Sequence, residues 1–166
     1  MTSKNANSAD NQQERLELAN WIVGFVDGEG CFTVSFFSHP KSRLRLKWQV
    51  FPEFVITQGF KSQKILREIN KFFGCGKIYL NKRRDNHHEH LLKFVVRNRS
   101  DLIFKIIPFF EKNQLRSAKK EDFKIFAKIL RMMQKDKHLQ ERGLAEIRLL
   151  VQKMNNRKHR KPISIS

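Results

Sequence analysis

Long apolar runs are missing from this chain: none approaches the roughly 18 residues that a membrane-spanning helix requires. The opening MTSKNANSADNQQERLELAN also lacks the apolar segment of a secretory signal, so we expect an intracellular protein with no membrane partner. Cysteine is scarce. Cys31 and Cys75 have no CxxC pairing, which disfavours a disulfide framework or a structural zinc site and leaves buried thiols as the expectation. Carboxylates are the third shortage: 16 Asp and Glu stand against 34 Lys and Arg, a formal net charge of +18. Such an excess is the electrostatic footprint of a polyanion binder, with nucleic acid the first candidate.

What is present argues for a folded core. Hydrophobic residues make up 40% of the 166, and fifteen are Phe, too many for a disordered basic segment; the length suits one domain. The polar, aperiodic residues 1–14 read as a flexible leader, 15–155 as the domain and 156–166 as a basic tail. Apolar spacing predicts a helix over Arg15–Asp27 closed by GEG, then a strand over Cys31–Ser38 and a turn through Pro40. A strand over Leu46–Thr57 with a bulge at Pro52 and a helix over Lys61–Phe73 stopped by Gly74 come next. Strands over Lys77–Asn81 and His90–Arg97, and helices over Asp101–Glu111, Glu121–Gln134 and Leu139–Asn155, complete the order. That order predicts an α+β domain, with one antiparallel sheet covered by helices on one face and open to water or a partner on the other.

Within the first helix Gly24 and Gly28 lie four residues apart on one face, where missing side chains let a second helix approach closely. The GFVDGEG string occurs once, so any two-fold machine has to be built from two chains. Read alone, DGEG only ends a helix in a turn. In context, IVGFVDGEG at Ile22–Gly30 resembles the LAGLIDADG signature in register, with Gly24 as its first glycine, Asp27 and Glu29 as its acidic pair and Gly30 as its last. VITQ at Val55–Gln58, FFGCGKIY at Phe72–Tyr79 and KKEDFKIF at Lys119–Phe126 follow in the order found in LAGLIDADG homing endonucleases. The resemblance runs from about Trp21 to Met133.

It implies a helix-strand-strand-helix-strand-strand-helix fold with extra C-terminal helices, paired as a homodimer through Trp21, Gly24, Phe25 and Gly28. It also implies hydrolysis of both strands of a long pseudo-palindromic double-stranded DNA target, leaving short cohesive ends. In its terms Glu29 and the Gly28 backbone carbonyl hold Mg2+, for which Mn2+ or another divalent ion can substitute. Gln58 helps to position the attacking water and Lys119 stands near the scissile phosphate, with Lys120 the neighbour that a one-residue offset would select. Most members carry Asp where this chain has Glu29, which keeps the charge and lengthens the reach by one methylene. Members of the family come from bacterial or archaeal cytoplasm and from chloroplasts or mitochondria, and some are intron-encoded. Two alternatives stay open: a maturase of the same fold that binds intron RNA, and a non-catalytic basic nucleic-acid-binding module, for which the charge alone would suffice.

A twisted antiparallel sheet can lie along the DNA major groove with every second side chain aimed at base edges. Thr33 and Ser35, Lys47 and Gln49, and Lys77, Tyr79 and Asn81 share the outward parity and are the expected base readers. Arg43, Arg45, Lys82, Arg83 and Arg84 fall near hairpin tips, where phosphate contact is expected. His87, His88 and His90 are read as solvated or DNA-facing rather than as a metal site. The C-terminal MNNRKHRKP fits an ordered backbone-binding element and a disordered basic tail equally well.

Overall fold

The computed structural model describes residues 3–38, 40–41, 46–82 and 89–154. Arg43, Arg45, Arg83, Arg84, His87, His88 and the tail 156–166 lie outside the described residues. Helix α1 (Ser3–Glu29) leads directly into β1 (Gly30–Ser38), followed by β2 (Trp48–Gly59), a 3-10 turn (Phe60–Ser62), α2 (Gln63–Phe73), β3 (Lys77–Asn81) and β4 (Leu91–Val96). The remainder is helical: α3 (Arg99–Asp101), a π-helical stretch (Leu102–Ile106), α4 (Ile107–Lys112), α5 (Lys119–Gln134), a second 3-10 turn (Lys137–Leu139) and α6 (Glu141–Lys153). The strands form one antiparallel sheet in the order β1-β2-β4-β3, so the α+β expectation holds. Among the described residues no helix is long and apolar enough to cross a membrane.

Alternation along the strands decides the two faces. Phe32 and Val34 of β1, Val50, Phe54 and Ile56 of β2, and Leu92, Phe94 and Val96 of β4 are buried in one cluster with Leu66, Ile69 and Phe73 of α2 and Phe123, Phe126 and Leu130 of α5. Phe32 stacks on Phe54 with ring centroids 5.1 Å apart and meets Phe110 edge-on at 5.5 Å. Burying one such ring contributes about 1.5–3 kcal/mol over leaving it exposed, and much of the phenylalanine content goes there. The opposite, odd-numbered face is half-buried to exposed except at Val95; we refer to it as the open face.

Three local features differ from the sequence reading. Helix α1 begins at Ser3, so the expected flexible leader over 1–14 is helical for most of its length. No Pro or Gly occurs between Ser3 and Val23, and the Ala, Gln, Glu and Arg residues there extend a helix at little cost. The bulge at Pro52 is not formed: β1 and β2 pair without an insertion from Gly30↔Ile56 to Ser38↔Trp48, with Val34 opposite Pro52. Because β4 reaches only as far as Phe54, the other flank of β2 is open at Pro52, the edge setting in which a missing N–H costs no ladder bond. The helix expected over Asp101–Glu111 contains a π turn, in which the N–H of Ile107 donates to Leu102 O five residues back. Pro108 follows at once, and a wider turn relieves the crowding its ring imposes on the preceding turn. Helix α2 ends as expected on Gly74, at φ 58°, whose N–H donates to Asn70 O.

Candidate active site and nucleic-acid interface

Helix α1 passes into β1 with no loop between them. A Cβ at Gly30 would lie 2.5 Å from Val26 Cγ1 and 2.9 Å from Val26 O, so only a glycine fits this close turn. The turn leaves Glu29 exposed at the helix end, where its carboxylate makes no hydrogen bond or ion pair with any described residue. Asp27, two residues earlier, is fully engaged. It accepts from Arg116 N (2.7 Å), Ser117 N (3.1 Å) and Ser117 Oγ (2.7 Å). Burial pushes the Asp27 carboxyl up, but the Ser117 hydroxyl, the two backbone N–H groups and the Lys119 charge outweigh it and hold the group below the ordinary aspartate value.

The last carbonyls of a helix have no partner within it and carry the negative end of its dipole. Lys119, the first residue of α5, answers that need: its Nζ donates to Val26 O (3.1 Å), Asp27 O (2.9 Å) and Gly28 O (2.9 Å). The Lys119 ammonium thus caps the helix end at the Gly28 carbonyl, next in sequence to the exposed Glu29, although 91 positions separate Gly28 from Lys119. Lys120 instead lines a hollow of about 500 Å³ with Phe110, Leu115 and Phe123, so of the two lysines Lys119 is the one at the junction. Gln58 lies on β2 opposite Leu92 and two residues beyond Ile56, the partner of Gly30. It therefore stands at the end of the sheet that α1 enters, on a strand rather than at a helix N-terminus.

A carboxylate and a backbone carbonyl are hard oxygen donors, the kind that magnesium and manganese take. Among the described residues no group of three or more His, Cys, Asp or Glu could hold a metal. Glu29 and the Gly28 carbonyl are two such donors, and a cation here would complete its shell from a second subunit, a phosphate or water.

Trp21, Gly24, Phe25 and Gly28 share one stripe of α1. Trp21 and Phe25 stack with centroids 4.9 Å apart and planes at 18°, and Trp21 remains 42% exposed. A Cβ built at Gly24 or Gly28 meets nothing within 4 Å. A groove of about 600 Å³ runs beside this stripe, between Asn20, Gly24 and Asp27 on one side and Lys112, Gln114 and Arg116 on the other.

Strand pairing places most of the expected base readers together. Thr33 lies opposite Glu53, Ser35 opposite Phe51 and Gln49 opposite Phe37; Lys77 lies opposite Val95, Tyr79 opposite Lys93 and Asn81 opposite Leu91. All are on the open face. Lys47 is the correction: β2 starts at Trp48, and Lys47 at φ 55° is a left-handed turn residue to which strand parity does not extend. The pairing adds residues that the sequence reading passed over. Lys93 shares the open face, hidden in the apolar string LLKFVV, and counting parity along β4 from its pairing with β3 would have found it. Arg97, just past β4, forms an ion pair with Glu53 across the strands.

The sequence model of the LAGLIDADG endonuclease family matches residues 22–130. The chain belongs to this family. Among solved structures it is similar to the homing endonuclease I-TnaI, at 39% identity and a TM-score of 0.74, over 85% of this chain and 90% of that one. It is also similar to the LAGLIDADG homing endonuclease I-SmaMI bound to cleaved DNA, at 33% identity and a TM-score of 0.74, over 83% of this chain and 44% of that one. A curated relative, the probable intron-encoded DNA endonuclease 1 of Mycosarcoma maydis, is 30% identical over 102 residues, 61% of this chain. The chain spans only about a third (33%) of that protein's length. In LAGLIDADG terms, the single motif ends at the α1–β1 junction, where Lys119 caps the Gly28 carbonyl and Glu29 is exposed.

Proposed function

We propose that this LAGLIDADG chain is one subunit of a homodimeric, divalent-metal-dependent homing endonuclease that cuts both strands of a long pseudo-palindromic DNA duplex, leaving short cohesive ends. The observation that carries the reading is Glu29, a carboxylate with no hydrogen bond or ion pair to any described residue, at a helix end whose Gly28 carbonyl already holds the Lys119 ammonium. In a chain with 34 basic residues, a carboxylate left unpaired is available to a cation from outside. Two chains whose α1 helices cross along Gly24 and Gly28 bring two such carboxylates together, one for each DNA strand.

Bound magnesium, or manganese or another divalent ion in its place, would polarise a phosphoryl oxygen and make a water acidic enough to attack phosphorus. The charge of Lys119 stabilises negative charge developing on the phosphate, and Gln58 at the end of the sheet orients water. The open face supplies alternating polar and basic side chains of the kind that read a major groove, and the net charge of +18 supplies attraction to phosphate. I-SmaMI bound to cleaved DNA supports DNA as the partner, and the name of the Mycosarcoma maydis relative supports an intron-encoded origin.

The test is a magnesium-dependent cleavage assay on a library of symmetric duplexes, run beside Glu29→Gln with duplex binding measured for both proteins. Cuts that vanish in the variant while binding survives support the reading. Tight binding with no cuts by either protein replaces it with a maturase that binds intron RNA or a DNA-binding regulator.

A further inference from the structure

Among the described strand residues, Glu53 is the single carboxylate on the open face. A lone negative charge in the middle of a surface that meets a polyanion weakens the encounter, so its presence calls for a second role. The register supplies one. The last β2–β4 pair is Phe54↔Val96, which sets Arg97 directly across from Glu53, and the two form an ion pair. The Arg97 guanidinium also lies 5.9 Å from the ring centroid of Phe51 and 5.5 Å from that of Tyr79, within reach of both π faces. Its side chain is nevertheless 49% exposed, against 20% for Glu53. A planar fork is thus braced by a carboxylate and two aromatic rings and still open to a ligand lying on the sheet. Lys77 and Lys93 on the same face are flexible point charges without a fork.

We infer that Arg97 is a guanine-reading side chain of this sheet and that Glu53 is its positioning residue, so that the pair fixes one base preference in each half of the DNA target. The inference rests on the DNA-cleaving reading above. Bidentate recognition of guanine O6 and N7 requires a guanidinium held in one orientation, and Glu53 with the two rings provides that before DNA arrives. The negative charge of Glu53 offsets the general attraction of Arg97 for phosphate. Arg97 therefore contributes to discrimination between sequences more than to non-specific affinity.

The experiment is selection from a pool of randomised duplexes in EDTA, so that nothing is cut, with the wild-type protein, Arg97→Ala, Arg97→Lys and Glu53→Gln. Thermal midpoints confirm that each variant is folded. Arg97→Ala and Arg97→Lys are expected to lose the preference for guanine at one position in each half-site by roughly ten-fold or more, with the other positions unchanged. Glu53→Gln is expected to bind random duplex more tightly and to steepen the salt dependence by about one phosphate contact. A uniform loss across all positions in Arg97→Ala, or full recovery of the base preference by Arg97→Lys, would overturn the inference, since either marks a phosphate contact or a structural role. Wild-type protein that enriches no sequence at all would sink the DNA-cleaving reading itself, and this inference with it.

Discussion

Asp27 and Glu29 lie two residues apart at the end of α1 and have opposite surroundings. Asp27 ties the helix to the segment before α5 through three accepted hydrogen bonds, and Glu29 has no hydrogen bond or ion pair to any described residue. The proposed roles divide accordingly: Asp27 holds the junction together, and Glu29 is the proposed cation ligand. Because the folded-state pKa of Asp27 is lowered, its contribution to stability is complete above the unfolded value of about 3.9 and is lost as pH falls through the lower folded value. Asp27→Asn should therefore lower the unfolding free energy obtained from urea titration at neutral pH by about 0.5–1.5 kcal/mol, toward the lower end because solvent reaches the carboxyl. The difference from wild type should shrink below about pH 4. A difference that stays constant from pH 7 to pH 3 would show that Asp27 contributes by packing rather than by charge. Neither the Asp27 contacts nor the Lys119 cap is visible in local periodicity, because their partners lie about ninety residues away. Only the ordered set of family strings joined Glu29 to Lys119 beforehand.

At the scale of elements, the strand faces were legible because β1 and β2 alternate large apolar with polar or small residues, and period two assigns each to a side. Parity ends where the backbone leaves the strand, at Lys47 with φ 55°. A proline at position 52 suggests a bulge because sequence does not reveal which flank of β2 is open. Helix α1 raises the sharper question of what covers Gly24 and Gly28. A Cβ at either position meets no described residue within 4 Å, so Gly24→Leu should leave the thermal midpoint unchanged or raised, since glycine costs an exposed helix about 0.5–1 kcal/mol. The same substitution should block the proposed close crossing of two helices, and sedimentation should report a dimer for the wild type and a monomer for the variant. A Gly24→Leu protein that remains a dimer would remove α1 as the pairing surface.

The whole molecule combines a net charge of +18 with one open sheet face whose polar and basic residues lie in register. Binding dominated by phosphate contacts weakens steeply with salt: six or more contacts predict a loss of about a thousand-fold or more in duplex affinity between 50 and 200 mM salt. Fluorescence anisotropy across that range checks this, and a nearly flat response would place the charge away from the binding surface. At this scale element order is enough for the architecture and net charge points to a polyanion partner, while the braced Arg97–Glu53 pair depends on a β2–β4 register that no local pattern reports. The central claim, that Glu29 from each of two chains serves one DNA strand, is tested most directly by strand-resolved cleavage of a selected duplex. Rates with magnesium would be compared for the wild type and Glu29→Gln. The account predicts that wild-type protein cuts both strands, and that Glu29→Gln cuts neither at more than about a hundredth of that rate while still binding the duplex. A variant that cuts both strands at the wild-type rate would contradict it.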